Sequence, residues 1–221
     1  MRQGPLFRIA GNASLRTRRR SYEWLRERVG GFAGKVVLDH GATPDTTSAD
    51  SNCHIGWLLA DGATVIATSA EDISHLPKVF PRLRVVTWPP DPLAIGRLDL
   101  VISNSVIAHV GEGDAQLAFV EGLLAFEAPL YLTTPNRRHF LEFHTKLPLL
   151  HWLPKDRYRA SLETLRLGFW KHLNLLTRPE LQALLDEAAA HRGRRIACAW
   201  YEPRLLGVVS NLVVLATEHP A

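Results

Sequence analysis

Residues 34–41 read Gly-Lys-Val-Val-Leu-Asp-His-Gly, and this stretch decides the fold. Residues 35–39 form a short apolar run with two β-branched valines, entered from Gly34 and left at Gly41. A run this short, bounded by turn residues, reads as a buried strand. The glycine at its exit allows a backbone conformation and a close approach that a Cβ would forbid.

The same signature recurs downstream. Residues 63–67 (ATVIA), 84–87, 99–103 (DLVIS) and 129–133 (PLYLT) read as further strands. Between them lie a polar loop at 43–50 and a short helix capped by Ser51, running through Ala60 with Gly62 past its end. A helix is expected over 71–80, stopping before Pro81, and an amphipathic one over 115–126. Upstream, residues 14–29 have helical character. Leu15, Tyr22, Leu25 and Val29 share a face, six arginines surround it, and Gly30 and Gly31 end the segment. Downstream, a helix over 178–190 starts at the N-cap Thr177 and stops before Gly193. Strands at 195–201 and 211–217 then follow with no helix between them, which implies an antiparallel pair.

Strands alternating with helices give an α/β class. The expected architecture is Rossmann-like: a mostly parallel seven-stranded sheet with helices on both faces and a C-terminal antiparallel hairpin. Ligands of such sheets bind beyond the carboxyl ends of the strands. One domain over 1–221 is expected, with a helical extension at 1–33 and a lid-like insertion at 139–172.

Bulk properties narrow the class. A chain of 221 residues suits one large domain, 46% hydrophobic residues suffice for a core, and 22% charged residues argue against disorder. A net charge of +4 is too mild to point to nucleic acid. Cys53 and Cys198 are too few for a disulfide framework and lack metal-ligand spacing, which suggests a reduced, cytoplasmic protein. The first twenty residues hold no apolar run, so no secretory signal is expected. The longest apolar stretch, 205–216, is broken by Gly207, Ser210 and Asn211 and is too short to span a bilayer. Peripheral contact with a membrane surface stays open.

Several segments, in order, resemble the class I S-adenosylmethionine-dependent methyltransferases of bacteria. VVLDHG (36–41) is similar to their first motif, DLVISNSVIAHV (99–110) to their fourth-strand motif, and LTTPN (132–136) to the end of their fifth strand. LNLLTRPELQALL (173–185) and SNLVVLA (210–216) are similar to their late helix and last strand, and HFLEFHTKLPLLHWLP (139–154) to a segment of one bacterial subgroup. The resemblance covers residues 34–217. It implies S-adenosyl-L-methionine as cofactor, with Asp39 organising the turn and the cofactor's amino group and Gly41, Ala42 and Thr43 lining the turn. Free backbone N–H groups at a following helix start would favour the cofactor's carboxylate.

The chain departs from the family pattern in places. Thr43 and Asp45 replace the usual second and third glycines, and Pro44 between them removes a donor. The second-strand acid is displaced, leaving Glu71 as the candidate for the ribose hydroxyls. The acid after the third strand is absent, and Trp88 is the candidate for stacking on adenine. Ser103, Asn104 and Ser105 leave the fourth strand on the ligand side and suit polar contacts to cofactor or acceptor, or simply a capped turn.

Glu142 and His144 are the candidate catalytic pair in an apolar segment that reads as a pocket wall. His139, His144 and His151 with Glu142 also raise a metal reading, but spacings of five and seven share no helical face, so no metal is expected. The expected acceptor is a small molecule or a lipid- or glycan-type compound. A non-catalytic binding or scaffold relative is the alternative. An RNA-modifying enzyme using the arginines at 16–20 is a third reading, although a solvated helix face explains that run more simply.

Overall fold

A computed structural model describes residues 5–218. In chain order the elements are α1 (Pro5–Val29), β1 (Val36–His40), α2 (Cys53–Ala60), β2 (Thr64–Thr68), α3 (Leu76–Val79), β3 (Arg84–Val85), α4 (Pro92–Ile95) and β4 (Leu100–Asn104). Then come α5 (Asp114–Leu124), β5 (Leu130–Pro135), α6 (Lys155–Thr164), α7 (Arg178–His191), β6 (Ile196–Tyr201), β7 (Arg204–Leu205), β8 (Val208–Val209) and β9 (Asn211–Glu218). Two 3₁₀ turns, Leu150–Trp152 and Gly168–His172, flank α6.

Seven strands form one sheet in the order β3-β2-β1-β4-β5-β9-β6, and β7 and β8 make a separate small hairpin. β1 is parallel to β2 and β4, β2 is parallel to β3, and β6 is antiparallel to β9. The mostly parallel sheet with a C-terminal antiparallel pair agrees with the sequence reading. Among the described residues no helix is long and apolar enough to cross a membrane.

The chain divides into two compact units. The first runs through Ser103 and includes Phe126–Tyr131. β1, flanked on both sides, is apolar along most of its length: Val37 and Leu38 are fully buried, as are Val65 of β2 and Leu100 and Val101 of β4. Parallel strands covered on both faces lose the polar alternation of half-exposed ones. α1 joins this core through Tyr22 and Leu25, both fully buried. The Tyr22 ring stacks on Phe32 at 5.1 Å, and its hydroxyl donates to Asp61 at 2.8 Å.

The second unit takes Asn104–Ala125 and everything from Leu132 on. α5 packs on α7, burying Val120, Leu123, Leu181 and Leu185. Thr177 is the N-cap of α7, as the sequence suggests, and its backbone N–H and hydroxyl both donate to Glu180 at 2.7 Å.

Several expectations need correction. Ser51 does not cap α2. Its hydroxyl donates to Asp45 at 2.6 Å, and the residue before the helix is Asn52, in the left-handed region at φ 53°. The helix expected over 71–80 shrinks to α3. Side chains of Ser69 and Asp72 accept from the N–H groups of Glu71 and Ser74 and hold the chain in turns that compete with helix. The third strand is two residues, not four. The small β7–β8 hairpin has no counterpart in the sequence reading, and α1 begins nine residues earlier than expected.

Candidate functional site

In the first unit the site is built at the carboxyl end of β1. Asp39 pairs in register with Ala67 of β2 and Ile102 of β4, so its neighbours along the sheet carry no charge. It is 5% exposed and accepts no hydrogen bond among the described residues. Burial pushes its carboxyl up to about 7, against the opposing pull of Arg18. A buried acid without donors costs free energy that a ligand cation could offset.

Gly41 follows at φ +108°, a conformation that side-chain-bearing residues avoid. The N–H groups of Gly41 and Ala42 both donate to the carbonyl of Thr68, at 2.9 and 3.1 Å. The Thr43 N–H donates to Asn52 Oδ1 at 3.0 Å, and Asn52 Nδ2 donates back to the Thr43 carbonyl at 2.7 Å. Asp45 lies inside this loop. Hydrogen bonds from Ser51 and then Thr47 hold its carboxyl below the usual range. The expected cradle of free N–H groups at a helix start is therefore absent. α2 begins only at Cys53, and the donors of residues 41–43 are already taken by Thr68 and Asn52.

The other first-unit candidates are scattered around this strand end. Trp88 is 44% exposed and stands edge-on to His40, with ring centroids 4.9 Å apart. Desolvation drops the buried His40 to about 4, so that ring is neutral at pH 7. Glu71 is exposed, and its N–H bonds Ser69. Ser103 is fully buried, and its hydroxyl has no partner among the described residues.

The arginines of α1 are not a uniform solvated face. Arg19 pairs with Glu23 and lies over the Tyr22 and Trp57 rings, and Arg26 pairs with Asp61. Arg18 acts on Asp39, Asp50, Cys53 and His54. Sequence reasoning took Arg18 only as one of the arginines at 16–20 and missed Asn52. The spacing of Ser14, Arg18 and Tyr22 on one helix face could have flagged Arg18, but nothing in sequence singles out Asn52.

In the second unit Asn104 and Ser105 are drawn to β5. Asn104 Oδ1 accepts from the Thr133 hydroxyl at 2.6 Å, and the Ser105 N–H donates to the Thr133 carbonyl at 2.9 Å, with Ser105 at φ 63°.

Glu142 and His144 come together as a pair. Glu142 is 1% exposed; its Oε1 accepts from the His144 N–H at 2.8 Å and sits 2.7 Å from His144 Nδ1, while Oε2 accepts from the Thr145 N–H at 2.5 Å. Burial alone would raise this carboxyl, but His144 and the two N–H donors overcome it and hold it at about 2. A carboxylate on Nδ1 selects the tautomer with the proton there and leaves Nε2 as the basic nitrogen. The His144 ring lies 5.1 Å from His109 and 5.1 Å from Trp170, neither foreseen as a neighbour. Desolvation first and His144 second lower His109.

The other two histidines of this segment contact backbone carbonyls. His139 Nδ1 sits 3.0 Å from the Leu141 carbonyl, and its ring stacks on Phe140 and Phe143. His151 Nε2 reaches the carbonyls of Arg137 and His139 at 3.1 and 2.8 Å. Among the described residues no group of three or more His, Cys, Asp or Glu side chains could hold a metal ion.

No family model and no curated protein sequence matches the chain. Solved structures do match its fold. Magnesium protoporphyrin IX methyltransferase (ChlM) of Synechocystis, with bound S-adenosylhomocysteine, is 16% identical, with 97% of this chain and 88% of that one covered at a TM-score of 0.56. A SAM-dependent methyltransferase of Aquifex aeolicus is 15% identical, with 88% and 87% covered at 0.54. A Rhodobacter sphaeroides protein provisionally named a Zn-dependent alcohol dehydrogenase is 12% identical, with 91% and 90% covered at 0.64. At such identities the likeness is one of fold, and the fold is the Rossmann-like one that methyltransferases use.

Proposed function

We propose that this protein is an S-adenosylmethionine-dependent methyltransferase acting on a small-molecule or lipid- or glycan-type acceptor. The observation that carries the reading is Asp39: a buried carboxyl without a hydrogen-bond donor among the described residues, at the carboxyl end of the central strand β1, in a sheet of methyltransferase topology. Ligands of such sheets bind at that end. Asp39 would hold the cofactor's ammonium, Gly41–Thr43 would line its methionine part, and the buried Ser103 hydroxyl offers a further polar contact. Glu71 and Trp88 remain the candidates for ribose and adenine. When bound, the cofactor supplies an activated methyl group.

Glu142 and His144 would take the acceptor's proton. Glu142 fixes the His144 ring through Nδ1, and Nε2 is then the base. This chemistry suits an acceptor hydroxyl or amine that must lose a proton. The protein would work in the cytoplasm, without a metal, and nucleic acid is not its expected partner, because Arg19 and Arg26 are engaged within the fold.

One observation favours a second reading, a binding or scaffold protein with a degenerate cofactor site: the N–H groups of residues 41–43 are taken internally. Calorimetry and thermal shift with S-adenosylhomocysteine decide between the two. The methyltransferase reading expects binding, with a stabilisation of about 2.7 kcal/mol at a hundred times Kd. Silence in both assays at millimolar ligand would leave the scaffold reading standing.

A further inference from the structure

We propose that α6 and its two flanking 3₁₀ turns, Leu150–Trp152 and Gly168–His172, form a face that docks on an anionic membrane surface beside the candidate base His144. The inference rests on the methyltransferase reading only for the role of His144, and there it favours the lipid-type acceptor. α6 packs against both turns, so the three make one piece of structure.

Exposed large apolar side chains concentrate here. Leu149, Trp152, Leu153, Leu165 and Phe169 are five of the ten among the described residues. Scattered singly, such side chains need no explanation; gathered between 149 and 169, they do. Phe169 is 83% exposed, and hydrogen bonds fix the turn that carries it. The Leu167 N–H donates to the Leu162 carbonyl at 2.8 Å, Arg159 Nε donates to the Lys171 carbonyl at 3.3 Å, and Lys171 Nζ pairs with Glu163 at 3.0 Å. At the other end of α6 the Trp152 indole N–H donates to the Arg137 carbonyl at 3.0 Å while the ring stays half exposed. An indole with its N–H satisfied and its ring in solvent suits the head-group layer of a bilayer.

The charge of the segment fits the same surface. Residues 146–172 hold six Lys and Arg against two Asp and Glu, a formal +4 that equals the charge of the whole chain. Glu112 takes up Lys155 and Arg159, and Glu163 takes up Lys171. The guanidinium groups of Arg157 and Arg166 are exposed and form no ion pair among the described residues. Free cations interleaved with exposed Trp, Phe and Leu are the pattern of an interfacial membrane contact. The core of a protein–protein interface is instead depleted of charge.

This face reaches the candidate base through two rings. Phe169 lies edge-on to Trp170 with centroids 4.9 Å apart, and Trp170 lies 5.1 Å from the His144 ring.

Co-sedimentation of the full chain with vesicles tests the docking. The parent should bind vesicles of phosphatidylglycerol and phosphatidylcholine in equal parts at least about ten-fold more tightly than vesicles of phosphatidylcholine alone, and added salt should erase the difference. Phe169→Ala should weaken binding about ten-fold, the worth of one inserted aromatic side chain, and Phe169→Trp should keep it. Arg157→Gln should weaken it about five-fold. All three variants should melt with the parent and bind S-adenosylhomocysteine as it does, since the replaced side chains stand in solvent. A parent that stays in solution with anionic vesicles would overturn the docking, as would equal binding to both kinds of vesicle or a Phe169→Ala variant that binds as the parent does. A dimer that Phe169→Ala dissociates, without vesicle binding, would overturn it in favour of a second copy of the chain. A parent that binds anionic vesicles but not S-adenosylhomocysteine would uphold the docking and remove the methyltransferase reading, and with it the role of His144.

Discussion

Asp39→Asn should stabilise the fold at alkaline pH while emptying the site. Asp39 is 5% exposed and has no donor among the described residues, and burial moves its carboxyl from an ordinary 3.8 up to about 7. The folded state therefore holds this proton more tightly than the unfolded chain. The stability that the neutral acid contributes is complete below its unfolded value and is lost as pH rises through about 7. A shift of that size amounts to about 4 kcal/mol by pH 8 and under about 2 kcal/mol at pH 5. Asparagine has nearly the same shape and never ionises. Its unsatisfied amide costs roughly 1–3 kcal/mol, the same at every pH. Denaturant melts of parent and variant at pH 5 and pH 8 isolate the titrating part. The stability difference should move by about 2–3 kcal/mol in favour of Asp39→Asn across that interval. Calorimetry on the same samples should show S-adenosylhomocysteine binding lost, because the amide offers no charge to an ammonium. In the parent, affinity should fall as pH drops below 7, where the acid takes up its proton. A stability difference that stays flat from pH 5 to 8 would refute the buried-acid argument, and undiminished ligand binding would refute the role in the site.

Two further outcomes are expected. Glu142 is held near 2, so its contribution, about 3 kcal/mol at neutral pH, is present above about 4.5 and lost as pH falls towards 2. Glu142→Gln should flatten that acid limb in pH-dependent melts and lower turnover on the true acceptor while leaving S-adenosylhomocysteine affinity unchanged; identical acid limbs would contradict it. Asn52→Ala removes both hydrogen bonds to Thr43 and places an alanine at φ 53°, which should cost roughly 1–3 kcal/mol in denaturant melts and weaken S-adenosylhomocysteine binding. Asn52→Gly should recover only the backbone part, and a glycine variant as stable as the parent would show that the side-chain clamp contributes nothing.

The strands were legible because their signal is local. The apolar runs around Val37, Val65, Val101 and Leu132 fall within a residue or two of the observed strands, and the C-terminal antiparallel pair follows from the lack of a helix between 201 and 211. The pairing of Glu142 with His144 lies two residues apart, within reach of sequence reasoning. The ends of elements were less legible. Ser51 and the 71–80 segment were misread because side chains of Asp45, Ser69 and Asp72 compete for the same backbone or hydroxyl groups, and periodicity does not register that competition.

Sequence alone determined the order of the seven sheet strands along the chain, the acid at the end of the central strand and the glycine after it, since each depends on residues a few positions apart. Tertiary structure decided which donors that acid and its loop still have. The N–H groups of Gly41 and Ala42 end on Thr68, 27 and 26 positions later in the chain, and Ser14 on α1 is held to Asp50 of the loop, 36 positions away. Hydrogen-bond supply and the field at a buried carboxyl are sums over groups brought close in space, and residues distant in the chain contribute most of them here.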